Sequence, residues 1–300
     1  MLIRIALIFY IIISIPAFLF FFIKVFKKIY HLYFISINKN SFILAEENNK
    51  LIDNIKPLTE HRIIAHALGA IVDNDNIYTY TNSLDAFISN YKKGYRAFEV
   101  DITFSKDNEL VLVHDWNSAI SITKNNKFKL KLTHKEWKES KIYNKYSTMD
   151  INDLLNLLNV YNDIYFITDT KFTYIKETFN IFTKIKNLAD KVNPLILNRI
   201  VPQIYNPKML ETIYSIYPFP NIIYTLYKNI QTINEIIDFV KIHPCIKIVT
   251  MRKNMATKDF VNNLNSIGKK VYIHTINNFN EVLDLSKNGI HGIYSDYLFY

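Results

Sequence analysis

Cysteine is almost absent. Cys245 is the only one in 300 residues, so no intrachain disulfide can form. No nucleic-acid-binding signature is visible, because the basic residues do not cluster with aromatics in a compact patch. There is no long internal repeat, and no small-residue cleavage site closes the apolar stretch at the amino terminus. Acidic side chains are outnumbered, 27 against 36 basic ones, for a formal charge of +9. That balance suits anionic partners such as lipid headgroups or phosphate esters, although heavy use of Lys, Asn and Ile throughout accounts for it equally well.

What is present is enough for one large domain. The length and the 49% hydrophobic content suit a single α/β barrel, which takes about 250 residues. Ile5 to Ile23 is uncharged and strongly apolar, flanked by Arg4 and by Lys24, Lys27 and Lys28. A membrane-spanning helix needs roughly 20 such residues. Leu19-Phe20-Phe21-Phe22 runs straight into the lysines, so an uncleaved single-pass anchor is expected rather than a removed signal. The flanking lysines lean towards a cytoplasmic carboxy-terminal domain by about one charge, which leaves the side of the membrane open. The expected organisation is an anchor over 1–30, a juxtamembrane linker over 31–60 and a barrel over 61–300.

From Arg62 onward apolar runs alternate with helical patterns. Strands are expected at Arg62–Ala65, Ala97–Thr103, Ile164–Thr168, Ile200–Ile204, Ile222–Leu226, Ile246–Thr250, Lys270–His274 and Gly292–Tyr294. Helices are expected at Ser83–Lys93, Ile151–Asn159, Lys171–Asp190, Pro207–Tyr217, Thr232–Ile242, Thr257–Ile267 and Asn278–Lys287. This alternation predicts a TIM-type (β/α)₈ barrel preceded by the transmembrane helix. Leu110–Val113 reads as an extra strand within a long excursion. Few residues follow Asp296, so a final barrel helix is not expected there. The apolar face of Ser41–Lys56 is expected to pack against the barrel in its place.

Polar residues interrupt the apolar runs near their carboxy-terminal ends, the active-site face of such barrels. His66 ends the first strand, Glu99 and Asp101 lie in the second, and Asp169 and Lys171 follow the third. Gln203, His274 and Asp296 close later strands, and His114-Asp115 follows the extra one. Residues two apart on a strand share a face, so Glu99 and Asp101 converge on one cation with the histidines beside it as acid and base. That is the equipment of metal-assisted phosphodiester chemistry. The bland reading has His114-Asp115 in a surface turn, Glu99 and Asp101 paired to Arg96 or Lys93, and Lys171 as a solvated helix-start residue. Convergence of so many ionisable groups on one rim argues against it.

The segment resembles the glycerophosphodiester phosphodiesterase family, within the phosphatidylinositol phospholipase C-like barrels. The family's His-Arg-Gly resembles His66-Ala67-Leu68-Gly69, and its Pro-Glu-Asn-Thr resembles Tyr80-Thr81-Asn82-Ser83. Its Gly-x-x-x-x-Glu-x-Asp resembles Gly94 to Asp101, its His-Asp resembles His114-Asp115, and its Glu-x-Lys resembles Asp169-Thr170-Lys171. Its closing Gly-x-x-x-Asp resembles Gly292 to Asp296. The resemblance implies a divalent ion, Mg²⁺ or Ca²⁺, held by Glu99, Asp101 and Asp169. It implies His66 and His114 as the acid–base pair, with Lys171, Asn82, Gln203 and His274 towards a phosphodiester or phospholipid-derived substrate. The family pattern is broken where Ala67 replaces an Arg, Thr81 and Asp169 each replace a Glu, and His274 stands in place of Trp. Related sphingomyelinase D-like barrels share the two histidines and the metal carboxylates. A membrane-anchored binding protein that kept the barrel without turnover is the alternative from another class.

Overall fold

The computed structural model describes residues 55–123 and 131–299. The expected anchor at Ile5–Ile23 and nearly all of the Ser41–Lys56 helix lie outside the described residues. Among the described residues, no helix is long and apolar enough to cross a membrane.

Eight parallel strands close into a barrel: β1 (Ile63–Ala65), β2 (Ala97–Phe104), β3 (Tyr165–Asp169), β4 (Ile200–Ile204), β5 (Ile222–Thr225), β6 (Ile246–Met251), β7 (Lys270–Ile273) and β8 (Gly292–Ser295). Closure comes from β1, which pairs with β8 at Ile64↔Tyr294 and with β2 at Ala65↔Phe98. The crossover helices are α1 (Leu84–Lys93), α2 (Ile151–Val160), α3 (Ile175–Val192), α4 (Pro207–Tyr214), α5 (Ile233–Ile242), α6 (Lys258–Ser266) and α7 (Phe279–Lys287). Right-handed crossovers through these helices join the parallel strands, as parallel pairing requires. Helix starts are set locally. Ser83, Asp150, Asn206, Thr232, Thr257 and Asn278 each accept a backbone N–H of the first turn.

The expected strands and helices match these elements to within a few residues. One boundary is corrected. The helix expected from Lys171 begins at Ile175, and Lys171 sits in the preceding loop with φ 58. The extra strand forms at Leu110–Leu112, antiparallel to β2 through Ile102↔Leu112. The excursion beyond it holds short helices at Trp116–Ile122 and His134–Glu139 around the fully buried Trp137.

The barrel interior is filled from every strand: Ile64, Ala97, Tyr165 and Ile167, Val201, Ile223, Ile248, Tyr272 and Tyr294. Leu58, in a 3₁₀ turn just before β1, joins this cluster at its amino-terminal end, and Ile55 packs against it. Leu58, only 2% exposed, is the stopper of the barrel floor. Leu58→Ala is therefore expected to cost about 2–5 kcal/mol in denaturant unfolding, the range for a buried leucine truncated without collapse. A change under about 0.5 kcal/mol, the level of an ordinary surface substitution, would show that the floor is closed by other residues.

Candidate active site

Two-residue periodicity converts the core into a site. Two positions beyond each interior apolar residue, towards the carboxy-terminal end, stands a polar one. Ile64 leads to His66, Ala97 to Glu99 and then Asp101, Ile167 to Asp169, and Val201 to Gln203. Ile223 leads to Thr225, Ile248 to Thr250, Tyr272 to His274, and Tyr294 to Asp296. Since side chains alternate faces along a strand, all of these belong to the barrel's inner face, stacked above the apolar layer.

Glu99, Asp101 and Asp169 are all buried, and each offers a carboxylate oxygen within 4.8 Å of the others. Register explains the proximity, because Asp101 pairs directly with Asp169 across β2 and β3. The expected alternative partners are engaged elsewhere: Arg96 binds Asp163, and Lys93 donates to Asn90. The Lys171 ammonium lies 2.8 Å from Asp101 Oδ1 and also meets Asp169. Asn82 grips Asp101 twice, donating to Oδ2 at 2.9 Å and accepting its backbone N–H at 3.0 Å. Asp169 accepts from the hydroxyls of Tyr205 and Tyr227. Glu99 Oε2 accepts the Ala67 N–H at 2.7 Å, while Glu99 Oε1 is buried with no hydrogen-bond partner.

An orphaned buried carboxylate oxygen beside two more carboxylates is what a hard cation needs, so the three residues fit a divalent metal. The electrostatics agree. Burial and the neighbouring Asp101 charge push the Glu99 carboxyl above its usual range. Burial also opposes ionisation of Asp101, but the Lys171 charge and hydrogen bond outweigh it and hold Asp101 below its usual range. Lys171 is held protonated well above the ordinary lysine range by Asp101 and Asp169, against the cost of its own burial.

The two histidines are mounted alike. His66 Nδ1 bonds Asp296 Oδ1 at 2.8 Å, and its Nε2 lies 4.0 Å from Glu99 Oε2. Burial works against the imidazolium, but the Asp296 bond and the Glu99 charge raise His66 to about 9. His114 Nδ1 bonds Asp115 Oδ2 at 2.6 Å. Asp115 itself is fixed as the cap of the 116–122 helix, accepting the Ser118 N–H and hydroxyl. Burial would raise the Asp115 carboxyl, but those Ser118 bonds and His114 hold it down at about 2. Each ring thus carries a carboxylate on Nδ1, which leaves Nε2 for other work. Tyr80 stands between the rings, edge-on to both, with centroids 4.6 Å from His66 and 5.3 Å from His114.

Backbone strain collects here. Ala67, Leu68, Tyr80, Asn82 and Lys171 all have positive φ, which non-glycine residues seldom adopt. At Ala67 the turn aims a backbone N–H at Glu99. The turn is held by Asn90, whose side-chain amide donates to the carbonyls of Leu68 and Ala70. Gly69 has φ 83, and a Cβ there would sit 2.5 Å from that amide nitrogen, so only glycine fits.

The other expected substrate residues are buried or partly buried. Gln203 accepts the Tyr294 hydroxyl at 3.0 Å, and His274 lies 3.2 Å from Thr250 Oγ1. Sequence reasoning passed over Tyr80, Tyr205, Tyr227 and Asn277, which holds Asp296 through Oδ2 at 2.6 Å. Asp296 had a usable signal, the two-residue step from Tyr294. Tyr205 and Tyr227 had the same one, standing two residues beyond Gln203 and Thr225, whereas Tyr80 had none, because it reaches the site from a loop.

His274 gives a pH expectation. Burial first, then the charges of His66, Arg252 and Lys171, lower it to about 4. An unfolded histidine titrates near 6.5. Between these values the unfolded chain binds a proton that the folded chain does not, so stability present above pH 6.5 is lost as pH falls towards 4. The loss amounts to at most roughly 3 kcal/mol. A His274→Gln protein should show a flatter melting temperature between pH 7 and 4 than the parent. Parallel curves would remove His274 as the cause.

No curated protein sequence matches the chain. Solved structures share its barrel. A glycerophosphodiester phosphodiesterase from Parabacteroides distasonis aligns with TM-score 0.61 and 15% identity, over 79% of this chain and 93% of that one. A phosphodiesterase from Oleispira antarctica, solved with the product sn-glycerol-3-phosphate, gives TM-score 0.58 and 15% identity over 79% and 93%. The glycerophosphodiester phosphodiesterase of Thermotoga maritima gives 0.55 and 16% over 78% and 94%. At these identities the likeness carries the fold. The family model described as the glycerophosphoryl diester phosphodiesterase family matches residues 74–298, most of the chain. With the barrel, the carboxylate cluster and that match together, the chain belongs to the glycerophosphoryl diester phosphodiesterase family.

Proposed function

We propose that this phosphodiesterase is a membrane-anchored, metal-dependent phosphoric diester hydrolase. It cleaves glycerophosphodiesters or phospholipid-like phosphodiesters, with His66 and His114 as its acid–base pair. The observation that carries the reading is the buried Glu99, Asp101 and Asp169 cluster, with its orphaned Glu99 oxygen. The Oleispira antarctica relative, solved with sn-glycerol-3-phosphate as product, favours a glycerol phosphate substrate.

Glu99, Asp101 and Asp169 would hold a divalent cation, which would supply positive charge to offset that of the phosphoryl group, and all-oxygen donors favour Mg²⁺ or Ca²⁺. Everything else falls to the chain's own groups. One histidine takes a proton from water or a neighbouring substrate hydroxyl, and the other gives one to the departing alkoxide. Asp296 and Asp115 keep each ring in one tautomer with Nε2 free. Lys171 adds positive charge where an anionic phosphoryl group must sit. Asn82 acts through Asp101, and Gln203 through Tyr294. Ile5–Ile23 supplies the anchor.

The test uses the full chain in detergent with glycerophosphodiesters as substrates. Release of a phosphate monoester should vanish in excess chelator and return with Mg²⁺ or Ca²⁺. Full turnover in chelator would remove the metal from the mechanism, and no turnover under any condition would leave a binding protein. The anchor requires resistance to carbonate extraction from membranes. Extraction by salt alone would refute it.

A further inference from the structure

The amino-terminal face of the barrel, opposite the carboxylate cluster, carries a cleft of about 360 Å³ lined by Arg62, Lys269, Lys270 and His291, with Asn265 and Ser286 and no carboxylate. Sheet register makes it. Lys270 opens β7, His291 immediately precedes β8, and Arg62 immediately precedes β1, three neighbouring strands. The His291 N–H bonds the Val271 carbonyl at 2.9 Å, and the Ile293 N–H bonds the Arg62 carbonyl at 2.9 Å, so the three residues are fixed side by side.

The Lys269 ammonium is turned inward onto the carbonyls of His243 and Ile246, at 3.0 and 2.9 Å. The other three basic groups remain. Among the described residues, Arg62, Lys270 and His291 form no ion pair. Burial and the charges of Lys270 and Arg62 disfavour the protonated His291 ring. Two polar atoms of the lining, His291 Nδ1 and Asn265 Oδ1, are buried and have no hydrogen-bond partner. Like charges gathered at one strand edge cost stability, and fold formation gives no reason to assemble them.

We propose that this cleft binds the phosphate group of a phosphate monoester or of an anionic lipid headgroup, at a site separate from the catalytic one. Phosphate oxygens accept from the guanidinium, the ammonium and the imidazole, which suits Arg and Lys recognition. The face is where the chain leading into β1 arrives.

The test follows the reactivity of the Lys270 amine in the full chain, by amine-selective acylation and mass spectrometry. In detergent, inorganic phosphate at roughly four times its dissociation constant should slow acylation of Lys270 about five-fold by occupancy alone. Lys258 and Lys287, outside the cleft, should not change. In nanodiscs without added phosphate, protection that appears when phosphatidylglycerol is mixed into phosphatidylcholine identifies the ligand as a headgroup. Protection by soluble phosphate alone identifies a free phosphate compound. An Arg62→Gln protein, whose substitution sits at an exposed position, should keep its hydrolytic rate and lose the protection. Unchanged Lys270 reactivity in both arms overturns the proposal, as does protection that survives Arg62→Gln.

Discussion

Glu99→Gln is expected to lower metal-dependent hydrolysis by at least about 10³-fold, roughly 4 kcal/mol of transition-state stabilisation. The amide keeps the shape of the carboxylate and can still accept the Ala67 N–H. It removes the negative charge at Oε1, the atom with no partner of its own. The accompanying stability change distinguishes a metal ligand from a structural acid. Without metal, burial and the Asp101 charge hold the Glu99 carboxyl above its ordinary range. The folded chain then keeps a proton that the unfolded chain has released, so stability falls as pH rises above the usual carboxylate pKa towards the raised one. Glu99→Gln removes this penalty. In chelator at neutral pH the variant should melt at or above the parent, while added Mg²⁺ or Ca²⁺ should stabilise the parent far more than the variant. Equal metal stabilisation of both proteins would exclude Glu99 as a ligand. Loss of stability in chelator would make it a structural residue.

The barrel was legible because its signals are local. Each strand is a short Ile- and Val-rich run, as in Ile246-Lys247-Ile248-Val249, and each is followed by a helix with its own cap. Glu99, Asp101 and Asp169 were legible for the same reason, since a charge inside an apolar strand is costly unless used. What stayed hidden depends on distant or strained chain. The His66–Asp296 bond joins residues 230 apart in sequence, and only barrel closure through β1 and β8 brings them together. The sequence pattern starts a helix at Lys171, whereas the helix begins at Ile175. The φ of 58 at Lys171 places it in the loop before that helix, where its ammonium meets Asp101 and Asp169, contacts that no local propensity encodes. Tyr80 faces the same difficulty. Its φ of 57 and its place edge-on between two histidines belong to a loop that no apolar periodicity marks.

Those loops set the last expected result. His66→Ala and His114→Ala should each lower turnover by about 10²–10⁴-fold, the range of general acid–base assistance, with little change in KM. The double variant should lose little more than the worse single one, because neither ring completes the proton transfer alone. The carboxylates behind the rings make a finer distinction. Asp296→Asn keeps a hydrogen-bonding group at His66 Nδ1 but removes the charge that helps raise this ring to about 9. The affected limb of the pH–rate profile should therefore move to lower pH, the direction in which losing an anionic partner shifts an imidazole. Asp115→Asn acts on the other ring and keeps an oxygen for the Ser118 N–H, and since Asn caps helices about as well as Asp, its loss of rate should come with little change in melting temperature. If the two rings share the work as acid and base, the two carboxylate variants should move opposite limbs of one bell-shaped profile, whose pKa values belong to the pair. A His114→Ala protein that cleaves phosphodiesters at the parent rate would sink the two-histidine mechanism.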